Sequence, residues 1–296
     1  MDMHFVKVKG ILSSSNGMNL YRGCSHGCIY CDSRSLCYHV AEDGRDFENI
    51  EVKENALELL EAALKRKKKK CMIGTGAMTD PYIPLEYRLE YTKGALELIE
   101  EYGFGVCVQT KSDRVLRDIE LLQRINKRTK AVVQMTLTTA DEKLCKILEP
   151  KVCGTKKRFE ALKRLKEAGI PTVVWLDPIL PFINDTKENI EGILEYCAEA
   201  NVYGVICFGM GLTLRAGNRE YFYKKLDEHF PGLKDVYERT FGFKYEVNSP
   251  DNGELMRLFH GRCGKYGMAH RNEDIFGYMY RFEDKNMGEQ LSFFDI

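Results

Sequence analysis

The hydrophobic and polar positions of the chain follow two alternating periods from about residue 50 onwards. Apolar residues recur at helical spacing in six segments, at about 53–69, 86–102, 113–127, 156–168, 186–200 and 218–230. Short β-branched or apolar runs typical of strands lie between them, namely Cys71–Ile73, Val106–Val108, Ala131–Val133, Thr172–Trp175 and Val205–Phe208. With the earlier strand-like run Met18–Tyr21, the pattern predicts about six β/α units.

Repeated β/α alternation predicts an α/β fold with parallel strands and right-handed helical crossovers. The pattern alone does not distinguish an open sheet from a barrel. No internal repeat, low-complexity tract or linker divides the periodic part of the chain. We therefore expect one β/α domain over residues 1–230, a C-terminal helical and loop extension over 231–282, and a polar tail over 283–296.

Composition limits the function classes that need to be considered. With 296 residues, 44% of them hydrophobic and 30% charged, the chain has the composition of a soluble globular protein. No apolar run approaches the roughly 18 residues of a membrane span, and no signal-peptide pattern opens the chain. Eleven cysteines, an odd number, do not indicate a secreted disulfide framework. We expect a protein of the reducing cytoplasm with no membrane partner.

Charge does not indicate a nucleic-acid partner by itself. Lysine plus arginine and aspartate plus glutamate number 44 each, so no net field attracts a polyanion. The one basic run, Lys65–Lys70, ends a helical pattern, where cations complement the helix dipole. We interpret it as a solvated helix end.

Three thiols are concentrated just after the first strand-like run. Cys24, Cys28 and Cys31 have C-x₃-C-x₂-C spacing, and cysteines at this density bind iron–sulfur clusters or zinc. A cluster takes four ligands, so one position would remain open to a ligand that is not protein. Structural zinc usually assembles two ligand pairs rather than one triplet, and we therefore favour the cluster. In the zinc alternative, the fourth ligand would be His26, Cys37 or His39.

Polar residues follow several of the predicted strands, and ligands of parallel β/α folds gather at those strand ends. The segment Gly74–Tyr82 combines small residues with Asp80, which would accept a hydrogen bond from an ammonium group or simply form an Asp-Pro turn. Lys111 follows the third strand and would pair with a carboxylate, unless it is an exposed lysine beside a helix cap. Met135–Thr139 adds hydroxyl groups after the fourth strand. Together these segments predict a polar rim around the cysteine loop.

The cysteine spacing, with Tyr30 before the last cysteine, resembles the signature of the radical S-adenosylmethionine (SAM) enzymes. That resemblance implies a partial (β/α)₆ TIM-type barrel in which Cys24, Cys28 and Cys31 hold a 4Fe-4S cluster. It also implies that the amino and carboxylate groups of SAM chelate the open iron. An electron from the cluster would then split SAM into methionine and a 5′-deoxyadenosyl radical.

A closer resemblance, from Tyr21 to about Pro181, is to the spore photoproduct lyase family and its DNA repair photolyase-like relatives. The matching elements are Arg22-Gly23-Cys24, Tyr30-Cys31, Thr79-Asp80-Pro81-Tyr82, Thr110-Lys111, the Thr136 strand, Glu149-Pro150, Arg158 and Asp177-Pro178-Ile179. The resemblance implies a nucleobase substrate in DNA or RNA, and a role of Tyr30 or Tyr82 in hydrogen transfer. It assigns SAM binding to Tyr30, Thr79, Asp80, Lys111 and Thr136.

One position departs from the lyase pattern. The lyase carries a hydrogen-donating cysteine three residues before the acidic residue that matches Asp80, and this chain has Ala77 there. The nearest thiol of the segment, Cys71, falls at the opposite end of the predicted strand. We therefore expect a lyase-like enzyme that is not the true lyase. The alternatives are radical modification of a protein or small metabolite, and a zinc- or cluster-binding module recruited to the replication machinery.

The C-terminal region offers two further patterns. Leu255–His260 continues a helical period, and we interpret Gly261–Gly267 as a glycine-rich turn. Near its end the tail carries two phenylalanines and a leucine, which favour a partner pocket. The pentapeptide that contains them resembles the sliding-clamp-binding motif of bacterial replication proteins. Its residues are Gln290, Leu291, Ser292, Phe293 and Phe294. The expected partners are a reductant such as flavodoxin or ferredoxin, DNA or RNA, and a bacterial sliding clamp.

Overall fold

The structure is a computed structural model that describes residues 3–40 and 46–285. Its strands are β1 (Met3–Val6), β2 (Gly17–Met18), β3 (Tyr21–Arg22), β4 (Ile50–Lys53), β5 (Met72–Thr75), β6 (Gly105–Thr110), β7 (Ala131–Thr136), β8 (Thr172–Trp175), β9 (Gly204–Ile206), β10 (Gly211–Thr213) and β11 (Glu246–Asn248). Its α-helices are α1 (Ala56–Arg66), α2 (Glu86–Leu89), α3 (Tyr91–Glu101), α4 (Ile119–Arg128), α5 (Glu142–Leu148), α6 (Thr155–Glu167), α7 (Lys187–Glu199), α8 (Asn218–His229), α9 (Leu233–Phe241), α10 (Asn252–Tyr266) and α11 (Asn272–Tyr280).

Six parallel strands form the central sheet in the order β2-β5-β6-β7-β8-β9. Each strand therefore pairs with the next strand of this set along the chain, for example Thr110 of β6 opposite Met135 of β7. An open doubly wound sheet instead reverses its strand order at a switch point. The sequential order confirms the predicted α/β class and the partial barrel.

Burial explains why the central strands read as continuous apolar runs. All six residues of β7 and all four of β5 are buried, as expected for parallel strands that are covered on both faces. The helices that cover the outside each bury one stripe. Helix α1 buries Ala56, Leu60 and Leu64, three positions at the four-residue spacing of a single helix face.

The structure divides the predicted strand Met18–Tyr21 between two sheets. Strand β2 belongs to the barrel, whereas Tyr21 in β3 pairs with Val52 of β4 in a three-stranded sheet ordered β1-β4-β3. That second sheet was missed because its strands are short and lack a distinct period. The predicted helix 86–102 is also divided, at Glu90, whose φ of 54° is left-handed and therefore incompatible with a continuous helix.

Within residues 231–285, elements of the C-terminal region pack against the rest of the fold. Strand β11 pairs antiparallel with β10, and helix α11 contacts β9. The predicted turn Gly261–Gly267 is wrong, because α10 continues through Tyr266 and ends at Gly267, whose φ of 69° forms a left-handed cap. The division at residue 230 stays a prediction, and the motif from Gln290 to Phe294 lies outside the described residues. In the part of the chain that the structure describes, no helix is both long and apolar enough to span a membrane.

Candidate active site

A cavity of about 540 Å³ lies at the carboxyl ends of the barrel strands. This volume falls within the roughly 300–1,000 Å³ range of ligand sites. The cysteine loop forms one wall, and segments that follow β5, β6, β7, β8 and β9 contribute the others. The lining residues whose side chains can bind a metal, carry a charge or form hydrogen bonds include Cys24, His26, Cys28, Tyr30, Cys31, Asp32, Asp80, Lys111, Thr136, Asp177 and Glu246.

The cysteine loop has a fixed backbone path. Gly23 has a φ of 82°, and a Cβ atom there would lie 2.5 Å from the Phe47 carbonyl oxygen, so only glycine fits. Two backbone hydrogen bonds attach the loop to the segment around α5. The Ile29 N–H donates to the Leu148 carbonyl at 3.0 Å, and the Lys151 N–H donates to the His26 carbonyl at 3.0 Å. These contacts hold the three thiols on one side of the cavity.

The Cys24 and Cys28 thiols are unfavourable as anions in the protein alone. Burial, with Asp80 and Cys31 nearby, raises the pKa of Cys24 to about 12. Burial also raises the pKa of the Cys28 thiol well above its ordinary value. A coordinating metal deprotonates a thiol outright and reverses this effect. The donor set therefore fits a metal centre.

A second polar group of the loop also fits a bound cluster. The Ser25 hydroxyl oxygen is buried and has no hydrogen-bond partner within residues 3–40 and 46–285, which is uncommon for a buried polar atom. In the same residues, no group of three or more histidine, cysteine, aspartate or glutamate side chains is arranged to hold a metal ion. The fit to a cluster therefore rests on the donor set and its unpaired hydroxyl neighbour.

Asp80 joins three segments of the cavity wall. Its Oδ2 accepts from the Lys111 N–H at 2.7 Å, and its Oδ1 accepts from the Thr110 hydroxyl at 2.7 Å and the Tyr82 N–H at 2.8 Å. The His26 ring lies 3.5 Å away on the side of the cysteine loop. The oxygens of this carboxylate thus accept hydrogen bonds mainly from donors of the protein. It positions the loops after β5 and β6.

Lys111 supplies a cation beside the thiols. Its ammonium nitrogen lies 5.9 Å from the centroid of the Tyr30 ring, and the Cys153 thiol donates to its carbonyl oxygen at 3.3 Å. Burial opposes the charge, but the neighbouring Cys28 and Glu149 outweigh this effect and raise the pKa of Lys111. The lysine therefore stays protonated at neutral pH and is available to an anionic ligand group.

A buried ion pair lies behind the cysteine loop. Glu149 and Arg158 are both fully buried, with 2.5 Å between Oε2 and Nη2. The Tyr30 hydroxyl donates to the other oxygen of Glu149, and Arg158 donates to the Thr136 carbonyl at 3.1 Å. Although burial opposes its charge, Arg158 holds the pKa of Glu149 below the ordinary value. The pair thus links Tyr30 to the end of β7.

The structure brings most of the residues assigned from sequence to one cavity, and it separates two of them. Those that line the cavity are Cys24, Cys28, Cys31, Tyr30, Asp80, Lys111 and Thr136. Thr79 is not a lining residue, because its hydroxyl is buried and donates to the Tyr21 carbonyl at 3.2 Å. Tyr82 is also buried outside the lining, with its hydroxyl on Asp118 at 3.0 Å. A direct role of Tyr82 in hydrogen transfer therefore has no support from its position.

Sequence reasoning missed several lining residues. Trp175, Asp177 and Phe208 line the cavity, and all three lie at the ends of strands β8 and β9 or directly after them. The rule that ligands gather at strand ends had been applied only to the earlier strands. Applied to β8 and β9, the same rule would have identified Trp175, Asp177 and Phe208.

Comparison with known proteins identifies the class. A family model described as the radical SAM superfamily matches residues 18–197, and the chain belongs to that superfamily. Its members use a 4Fe-4S cluster and SAM, so these are the cofactors of this protein. The matched range includes the cysteine loop and every barrel strand from Met18 to Trp175.

Curated relatives share this core at low identity. An uncharacterized protein of Mycobacterium tuberculosis is 28% identical over 227 residues, which are 76% of this chain and 66% of the relative. An uncharacterized protein of Methanocaldococcus jannaschii is 28% identical over 79% of this chain and 84% of its own length. A protein of Pseudomonas phage M6 named radical SAM Nα-GlyT isomerase is 22% identical over 83% of this chain and 51% of its own length.

Solved structures show the same fold. Spore photoproduct lyase with a dinucleoside spore photoproduct matches with a TM-score of 0.65 at 13% identity, over 90% of this chain and 80% of that chain. A radical SAM methyltransferase from Kitasatospora setae, with cobalamin and a [4Fe-4S] cluster, matches with a TM-score of 0.54 at 13% identity, over 89% of this chain and 59% of that chain. At these identities the likeness establishes the fold alone.

Proposed function

We propose that this protein is a radical SAM enzyme in which Cys24, Cys28 and Cys31 hold the 4Fe-4S cluster. The observation that carries the assignment is a cavity at the strand ends that the three thiols line together with Lys111 and Thr136. The bound cluster and SAM supply reductive cleavage of SAM to a 5′-deoxyadenosyl radical, which abstracts hydrogen from a substrate. We place the enzyme in the cytoplasm, with flavodoxin or ferredoxin as the electron donor.

The protein's own residues have distinct tasks in this proposal. Lys111 attracts the carboxylate of SAM, because it is a protonated amine beside the cysteine loop. Thr136 lies at the end of β7 and offers its hydroxyl to the cavity. Tyr30 is held by Glu149, so its ring orients the cofactor rather than transferring a hydrogen. Asp80 keeps the Lys111 backbone in place.

The substrate of this proposal is a nucleobase in DNA or RNA. Two similar proteins support it: the phage relative is named an Nα-GlyT isomerase, and the lyase was solved with a dinucleoside spore photoproduct. These proteins support the substrate by analogy, since a shared fold does not determine a substrate. Radical modification of a protein or small metabolite is the competing assignment. The sliding-clamp motif at Gln290–Phe294 stays a prediction.

Replacement of Lys111 by alanine is expected to weaken SAM binding without loss of the cluster. A hydrogen bond to a charged group contributes roughly 1.5–3 kcal/mol, which corresponds to about tenfold or more in the dissociation constant. Equilibrium dialysis with SAM on anaerobically reconstituted protein measures the change. Lys143→Ala is the matched control, because Lys143 is exposed on α5 and is not a lining residue. Equal SAM affinity in wild type and Lys111→Ala would contradict the assignment.

The nucleobase substrate is tested by formation of 5′-deoxyadenosine. With dithionite as the electron source, we expect the rate to rise when single-stranded DNA or RNA is added, relative to protein alone. A dinucleoside spore photoproduct forms a separate arm. Because Ala77 replaces the donor cysteine of the lyase pattern, we expect no clean conversion to two thymines. If the rate of 5′-deoxyadenosine formation rises with a peptide or metabolite pool but with no nucleic acid, the substrate belongs to the competing class.

A further inference from the structure

Trp175 and Phe208, with Phe276 packed against them, form an aromatic wall of the cavity where strands β8 and β9 end. Phe208, directly after β9, lines the cavity and leaves 61% of its side chain exposed. Its ring centroid lies 5.9 Å from Trp175 and 6.2 Å from Phe276. The Trp175 indole N–H donates to Gln134 at 2.6 Å, which fixes the ring that supports Phe208. The wall therefore presents a supported, open aromatic face to the cavity.

Asp177 lies on the same wall and has no hydrogen-bond partner among the residues that the structure describes. It follows β8 by two residues and lines the cavity together with Trp175 and Phe208. Within residues 3–40 and 46–285, its carboxyl meets no hydrogen-bond donor. Burial raises the pKa of Asp177 to about 7. The nearby Lys111 lowers this pKa and Asp32 raises it, but burial has the larger effect. At neutral pH this carboxyl therefore both accepts and donates hydrogen bonds.

Lys111, the cation that acts on Asp177, is assigned to the carboxylate of SAM, and the other charged groups around the wall disfavour a second anionic group. Asp32 and Asp80 also line the cavity, but each is bound to donors of the protein. In the described part of the chain, Asp177 and Glu246 remain as acidic lining groups without such bonds. A phosphate beside them would be repelled, whereas a neutral ring with N–H and carbonyl groups on its edge meets both an aromatic face and a carboxyl.

We propose that Phe208 and Asp177 form a subsite for one unstacked nucleobase of the substrate, with the ring stacked on Phe208 and the polar edge hydrogen-bonded to Asp177. This inference rests on the proposed function and names the residues that recognise its substrate. Enzymes that act on a base take it out of the nucleic-acid stack, and read it by stacking and by hydrogen bonds to its edge. The phosphates of the strand then stay outside the acidic cavity.

The chain contains its own probe for this subsite. Trp175 is the single tryptophan of the sequence, and its ring supports Phe208, so a base on the wall changes its fluorescence. The experiment uses the reconstituted holoenzyme, saturated with SAM and without reductant, titrated with thymidine and with 2′-deoxycytidine. Saturation with SAM fills the cofactor site before the titration, so that a nucleoside binds only where bound SAM leaves the wall free. Pyrimidine nucleosides avoid a second adenine.

We expect saturable quenching with the wild type, and binding about tenfold weaker in Phe208→Leu and in Asp177→Asn, because stacking and edge contacts each contribute at this level. Both variants should keep the wild-type SAM affinity and thermal midpoint, since Phe208 is exposed and asparagine is isosteric with aspartate. Phe243→Leu and Asp235→Asn are matched controls. Phe243 is 96% exposed, Asp235 is exposed on α9, and neither lines the cavity.

Three results would overturn the subsite. These are the absence of saturable quenching by either nucleoside, wild-type nucleoside affinity in both variants, and loss of SAM affinity in Asp177→Asn, which would assign the carboxyl to the cofactor. The 5′-deoxyadenosine assay separates this failure from failure of the proposed function. If nucleic acid stimulates 5′-deoxyadenosine formation, but Phe208→Leu and Asp177→Asn bind nucleosides as the wild type does, the subsite alone is rejected. Nucleoside binding that depends on Phe208 and Asp177, without any such response, rejects the proposed function and retains the base site.

Discussion

Replacement of Cys28 by alanine is expected to reduce bound iron from about four atoms per chain to near zero. Cys28 is buried within a loop that offers three thiols for the cluster, and two remaining thiols do not retain a cluster that already depends on one ligand from outside the protein. Iron and sulfide analysis after anaerobic reconstitution measures the loss. The brown cluster absorbance should disappear with it.

Cys37→Ala is the control that separates a site effect from a general effect of removing a thiol. Cys37 follows Cys31 by six residues, is exposed, and is not a lining residue of the cavity. It was also a candidate fourth ligand in the zinc alternative. We expect Cys37→Ala to keep full iron. A Cys28→Ala protein with a complete iron complement would refute the site, as would an anaerobic wild type that contains one zinc and no iron.

Replacement of Arg158 by methionine is expected to lower the free energy of unfolding by about 3–5 kcal/mol, the usual effect of removing one partner of a buried ion pair. The change leaves the Glu149 carboxylate fully buried without its cation, and it removes donors to the Thr136 and Cys153 carbonyls. Because Glu149 also holds Tyr30, we expect the variant to retain less cluster after reconstitution. Urea unfolding followed by circular dichroism measures the stability.

The surface offers a matched pair for this comparison. The Arg124 Nε atom lies 2.7 Å from Glu100 Oε1, but the two side chains are 54% and 25% exposed. Exposed ion pairs contribute about 0–1 kcal/mol to the free energy of unfolding. Arg124→Met should therefore leave stability nearly unchanged. The double variant Glu149→Leu with Arg158→Met should lose less stability than Arg158→Met, because no unpaired charge remains. Equal losses in Arg158→Met and Arg124→Met would show that the buried pair has no special role.

The strands and helices of the barrel could be predicted from sequence because they have strong local periods, whereas their closure into a barrel was implied only by the family resemblance. Strand β7 is apolar along its whole length since both faces are buried, and α1 repeats its buried positions every four residues. The short strands β1, β3 and β4 were missed because they mix polar and apolar residues, as in MHFV and IEVK, whereas the equally short β5 and β8 are mainly apolar or β-branched. The division at Glu90 was missed for another reason, namely that its left-handed φ belongs to a residue type that rarely adopts it.

Within the site, the sequence indicated the groups that carry chemistry but not their partners. Asp80 was expected to face an ammonium group, whereas three donors of the protein occupy its oxygens. Glu149 and Arg158 were visible only as elements of a family resemblance. Their pairing with each other and with Tyr30 gives them a physical role. Thr79 and Tyr82 were grouped with Asp80 by position along the chain, but their side chains point to other partners.

The sequence by itself determined the α/β class, the alternation of strands and helices along the chain and the cysteine triplet, because each depends on residues that are close along the chain. Only the tertiary structure decided which side chains meet around those thiols. The Tyr30 hydroxyl and Glu149 are 119 residues apart, and Trp175, Phe208 and Asp177 form one wall only because adjacent parallel strands end at the same edge. Contacts of this range depend on how helices and strands pack, which no local period encodes.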